Sequence, residues 1–240
     1  MLFFSYLRAF APKAQSAFVR RAYARELTAE VSYTFPLAML APGVVGIIAT
    51  LLFDVGSFGL ATIVAAPMFA NLTSTVWAKL GHGRAKAKVF AVIQTALLLI
   101  VVGIALLPVR PSSAVALVAL YVLARCLVSG LLTIRTVIWR ANYPRHSRSR
   151  ITGRLMIINT LMIATVPIIA AGLFDKYQQT NPWLFRAVYL GAACVGVVGI
   201  YAYLGLRVRR ERVLIREEKT RRYDQNTGQR ISPLQVLRTD

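Results

Sequence analysis

Six stretches of the chain stay apolar for about twenty residues each, with polar segments between them. They occupy residues 33–53, 58–77, 89–109, 113–133, 155–174 and 187–206. The strands of a membrane barrel would show ~10-residue segments of alternating polarity. These are instead continuous runs of Leu, Val, Ile and Ala, each long enough for a helix to cross ~30 Å of hydrocarbon. The pattern predicts an all-α, polytopic membrane protein of six transmembrane helices, with a bundle over residues 33–207.

The flanks read differently. Residues 1–32 mix Phe3, Phe4, Leu7, Phe10, Phe18 and Leu27 with Arg8, Lys13, Arg20, Arg21 and Arg25. That mixture fits an interfacial amphipathic arm broken at Pro12, or equally a solvated cytoplasmic arm. No small-residue cleavage site follows the aromatic start, so a removable signal peptide is not expected. Residues 208–240 form a basic, linker-like tail, in which residues 209–222 suit a charged helix supported by pairs such as Glu218 with Arg222.

Charge changes the picture in one respect. The 240 residues hold 29 Lys+Arg against 9 Asp+Glu, a formal net charge of +20. On a soluble protein this would suggest a polyanion partner, but with 57% hydrophobic residues and a mean hydropathy of +0.57 the chain is not soluble. Of the basic residues, 25 fall in the arm, the second and fourth connections and the tail, and three (Arg110, Lys176, Arg186) lie on the other side. Such asymmetry places both termini in the cytoplasm, for a protein integral to the cytoplasmic (inner) membrane. The partners expected are the bilayer and its anionic headgroups, each cation near the surface contributing about 1 kcal/mol; no nucleic-acid partner is expected.

The residues that break the apolar pattern are the candidate functional ones. Arg125 stands halfway along the fourth run, where an arginine costs ~2.5–3.5 kcal/mol to insert. The ten Leu and Val residues of that run offset this by roughly 3–6 kcal/mol. Arg125 must still face a partner or a water-filled cavity, and no Asp or Glu lies inside another run; Asp54, at the outer end of the first, is the nearest acid. Asn71, Gln94 and Asn159 carry neutral hydrogen-bonding groups into the second, third and fifth runs, as interhelical packing contacts or as the lining of a substrate pathway beside Arg125. Pro36, Pro42, Pro67 and Pro167 would kink or unwind helices. Gly43, Gly46, Gly191, Gly196 and Gly199 permit close helix approach.

Enzyme chemistry is not expected. The sequence has no phosphate-binding glycine loop and no paired catalytic carboxylates, and His82 and His146 lack neighbours at metal-ligand spacing. Cys126 and Cys194 sit in apolar runs and suggest neither a disulfide nor a metal site. No cofactor is implied.

The segment Trp77-Ala78-Lys79-Leu80-Gly81-His82-Gly83-Arg84-Ala85-Lys86 resembles the signature loop of the major facilitator superfamily, a tight Gly-Arg turn between the second and third helices on the cytoplasmic side. Gly83 and Arg84 match the Gly-Arg pair, and Gly83, Arg84 and Lys86 would act as a gating loop. The family's aspartate falls on Leu80 and its leading glycine on Val76. Arg125 with Ser129-Gly130 is similar to the family's Arg-x-x-x-Gly stretch on the fourth helix, displaced by one residue. The basic stretch from Trp139 through Arg148, Arg150 and Arg154 resembles the loop ahead of the fifth helix. The resemblance implies two inverted three-helix repeats forming one six-helix half of a twelve-helix transporter. It further implies a small-molecule solute and a second half supplied by another copy, a separate chain or further sequence. Proton coupling is not expected, for want of a buried carboxylate. The alternative is a membrane scaffold, assembly factor or inactive half-transporter that moves nothing; a basic-tailed anchor for RNA or anionic lipid is the weaker third.

Overall fold

The computed structural model describes residues 11–12, 16–177, 183–209 and 211–227. Nine α-helices account for most of them: α1 Ala17–Met39, α2 Pro42–Phe53, α3 Ser57–Leu72, α4 Ser74–Gly81, α5 Lys86–Leu106, α6 Ala114–Asn142, α7 Arg145–Tyr177, α8 Leu184–Leu204 and α9 Glu211–Thr227. No strand occurs among the described residues. Five spans are long and apolar enough to cross a membrane, and α3 with α4, bent by 43°, makes a sixth if taken as one. The all-helical expectation holds.

Proline and threonine place the breaks. Pro42 opens α2 at its first turn, where its missing N–H costs nothing, so α1 and α2 form one broken span over Val19–Phe53. At the α3–α4 bend the Thr73 hydroxyl donates to the Ala70 carbonyl at 2.6 Å, satisfying one backbone acceptor that the bend releases. Pro67 and Pro167 lie inside α3 and α7. Gly83, with φ +69°, supplies the left-handed residue of the turn into α5.

Helix α1 is central and packs on α8 and α7; α5 packs on α8 and α6, and α3 and α4 lie against α6. Two of the five small residues expected at close approaches are found there. A Cβ at Gly196 would lie 2.6 Å from Leu98, and one at Gly199 3.2 Å from Tyr33; Gly43, Gly46 and Gly191 face open space. Gly130 adds a third approach, with the Trp77 ring against its bare face. In the core Phe90 stacks on Tyr203 at 3.8 Å and meets Tyr33 edge-on at 6.3 Å, contacts of ~0.5–1.5 kcal/mol each beyond area burial. Outward, Phe58, Met68 and Leu72 are exposed apolar side chains, as a lipid-facing surface requires.

The structure corrects the boundary of the N-terminal arm. Helix α1 begins at Ala17 and runs without interruption into the first span. Val19 and Tyr23 pack under Trp139, Tyr143, Ile151 and Leu155, so residues 17–32 belong to the bundle. The arm up to residue 10 and the tail beyond 227 lie outside the described residues. Arg135, counted from sequence among the cytoplasmic cations, is buried within α6.

Candidate functional site

Extending the first helix back to Ala17 carries two carboxylates into the protein. Glu26 and Glu30 sit one turn apart on one face of α1, and both are buried. Opposite them α6 presents Arg135 and Trp139, also one turn apart. An Arg135 guanidinium nitrogen donates to Glu30 Oε2, and Trp139 Nε1 donates to Glu26 Oε2 at 2.8 Å. The Arg135 guanidinium lies 4.4 Å above the Trp139 ring and 5.9 Å from that of Tyr33. Two acids and one base thus share a layer closed to solvent, held by a charged bond, an indole donor and two cation–π contacts. It remains incompletely satisfied: Glu26 Oε1, Glu30 Oε1, Arg135 Nε and Arg135 Nη1 have no hydrogen-bond partner among the described residues. The expectation that no carboxylate is buried in the bundle is overturned. The sequence carried a signal for it, because no helix breaker separates Glu26 from the first apolar run, and Ile134, Arg135, Ile138, Trp139 and Asn142 continue the face of the fourth.

The layer is tied to α7 through α1. The Thr34 hydroxyl donates to the Glu30 carbonyl at 2.5 Å and accepts from Asn159 Nδ2 at 3.1 Å. Arg125 lies higher on α6, within electrostatic range of Tyr33 and Tyr121. Its Nε is buried without a partner among the described residues, whereas Asp54 is exposed at the end of α2. Through Tyr33 and Thr34 the structure brings Arg125 and Asn159 to the same stretch of α1. It does not bring Gln94 and Asn71 there. Gln94 is buried between α5 and α8 and donates to the Gly196 carbonyl at 3.3 Å. Asn71 is exposed and lines a shallow surface groove with Ser74, Ser129 and Thr133.

A second constellation forms where α4 turns into α5. Lys86, at the start of α5, is buried, and its Nζ donates at 2.6 Å both to the Gly81 carbonyl and to Glu218 Oε2 of α9. The Gly83 N–H donates to the same carboxylate oxygen at 2.6 Å. Glu218 therefore provides the acid that this loop lacks at Leu80. Burial pushes the Glu218 carboxyl up, but the Lys86 and Gly83 hydrogen bonds and the charges of Lys86 and His82 outweigh it, leaving it below the ordinary carboxylate range. Arg84 is exposed, and its backbone N–H donates to the Gly81 carbonyl. Glu218 thus serves Lys86 and Gly83, while the Arg222 side chain lies outside the described residues.

Of the basic residues ahead of the fifth span, Arg148 caps α6. It donates to the Arg140 carbonyl at 2.9 Å and to the Tyr143 carbonyl at 3.0 and 3.2 Å, holding acceptors that the helix end leaves open. Arg154 lies near Tyr23 on α1, and Arg150 is exposed.

Neither a curated protein nor a solved structure matches the chain. The family model described as Major Facilitator Superfamily matches residues 17–240.

Proposed function

The chain belongs to the major facilitator superfamily, a family of membrane transporters, and from that premise we propose that it forms the N-terminal six-helix half of a secondary transporter working by alternating access. It carries a small solute across the cytoplasmic membrane, with both termini in the cytoplasm. A second six-helix bundle, from another copy, a separate chain or further sequence, faces it across the pathway. The observation that carries the reading is the buried layer of Glu26, Glu30 and Arg135 joining the first and fourth spans. Two carboxylates against one guanidinium leave one negative charge to be neutralised, and a proton or a small cation can do that. The layer therefore replaces the missing basis for ion coupling. Arg125, above it with an open Nε, attracts the anionic group of the solute, and Asn159 adds a neutral hydrogen bond. Charged groups buried in a membrane bundle are costly and, facing its interior, mark substrate and ion pathways in membrane proteins.

The test is uptake by the complete assembly in proteoliposomes, with R125A and E30Q variants checked for insertion. R125A is expected to raise the half-saturating solute concentration, and E30Q to abolish the response of uptake to an imposed pH or cation gradient while solute binding persists. Wild-type uptake kinetics in R125A would assign Arg125 to structure. Undiminished gradient dependence in E30Q would remove the coupling role. An assembly that moves no solute under any gradient would favour the scaffold reading.

A further inference from the structure

The cytoplasmic ends of α1 and α8 border an open pocket of about 330 Å³ lined by Ala22, Leu206 and the exposed Arg21, Arg25 and Arg207. It is separate from the Glu26–Glu30–Arg135 layer: Glu26 follows Arg25 in sequence but points across to Trp139 on α6. Arg21 and Arg25 stand one helical turn apart, a like-charge spacing that is unfavourable on an isolated helix, and Arg207 approaches from the segment after α8. No acidic partner of these three arginines occurs among the described residues. Their environment is nonetheless built. The Arg25 guanidinium rests against the bare face of Gly205, where a Cβ would lie 3.3 Å from Cζ and 3.4 Å from Nε. Buried Leu206 and half-buried Ala22 form an apolar floor. Three cations around one pocket repel one another until an anion enters, and guanidinium forks match phosphate oxygens in pairs.

Depth favours one source of that phosphate. Arg25 stands eight residues before Tyr33, where the first apolar run begins, about 12 Å of helix at 1.5 Å per residue, and Arg207 follows Leu206, where the last run ends. Arg25, which lies against Gly205, and Arg207 therefore stand just outside the hydrocarbon, at the headgroup layer. We propose that Arg21, Arg25 and Arg207 form a binding site for a phosphate-bearing anion, the headgroup of an anionic phospholipid in the cytoplasmic leaflet. The apolar floor accepts the glycerol end of the lipid, which inorganic phosphate lacks.

Thermal unfolding of the purified chain in a neutral detergent tests this, titrated with a soluble short-chain phosphatidylglycerol or with inorganic phosphate. The lipid should raise the melting temperature of the wild type. In R21Q/R25Q/R207Q the concentration needed should rise on the order of a hundredfold, about fivefold per cation lost. K88Q/R140Q/R145Q, which removes three exposed cations elsewhere, should respond as the wild type does. Should the triple variant fail to fold, G205L keeps all three charges while filling the space behind Arg25, and should weaken the response. Phosphate acting as strongly as the lipid would keep the anion site and assign it to a free phosphate. A lipid response unchanged in both R21Q/R25Q/R207Q and G205L, or lost equally in K88Q/R140Q/R145Q, would overturn the site.

Discussion

Removing the charge of Arg135 should destabilise the bundle more than removing either carboxylate it faces. In R135Q, Glu30 stays buried without its counter-ion, and Glu26, which also feels the Arg135 charge, keeps only neutral donors. Breaking a buried pair from one side costs ~3–5 kcal/mol, and losing the cation–π contacts with Trp139 and Tyr33 adds about 0.5–2 kcal/mol. E30Q should cost less, because Glu26 remains in the layer to compensate the guanidinium. E30Q/R135Q removes both charges at little change in volume and should recover about 0.5–3 kcal/mol of the sum of the single losses, the range found for residues in one network. The assay is equilibrium unfolding in mixed micelles of a neutral detergent and dodecyl sulfate, followed by tryptophan fluorescence, since Trp139 lies in the layer itself. An R135Q variant no less stable than E30Q, or a double variant whose loss equals the sum of the singles, would refute the reasoning.

Further outcomes follow from the other contacts. E218Q should release α9 from the loop, leaving Lys86 with only the Gly81 carbonyl at a cost of roughly 1.5–3 kcal/mol for the charged hydrogen bond; hydrogen exchange across α9 should rise. The same release should occur in the wild type with acid. Because the folded Glu218 carboxyl lies below its ordinary value, its contribution is fully present above that ordinary value, near 4.5, and is lost as the pH falls through the lowered one. Protection of α9 relative to the intrinsic exchange rate that is constant from neutral pH down to about 4.5 and falls below it would fit, whereas protection lost on raising the pH would not. G130L should drive Trp77 off α6 and break its 2.8 Å bond to the Cys126 carbonyl; overpacking of this kind costs about 1–3 kcal/mol, read by the same unfolding assay. R148A should fray the end of α6 by about 1 kcal/mol, the scale of a lost cap, with faster exchange confined to its last turn.

Sequence alone determined the solvent. Runs of about twenty apolar residues point to lipid, where every backbone group must be paired within a helix, and that requirement sets the all-helical class. It also located the loop glycine: Gly83 sits in the turn expected of it, since a positive φ is a local demand that one residue can announce. Tertiary structure decided which polar groups meet. Arg125 and Asn159 converge on the same stretch of α1, but Gln94 and Asn71 go elsewhere, because helix rotation about its own axis is set by packing against neighbours. The layer of Glu26, Glu30 and Arg135 stayed hidden for the same reason. Windows of hydropathy end where charges begin, so acids and a base that neutralise one another inside the bundle read as surface residues until α1 and α6 are brought face to face. Glu218 is the extreme case: the acid that serves Gly83 and Lys86 comes from a helix more than 130 residues further along the chain, and proximity of that kind exists only in the folded molecule.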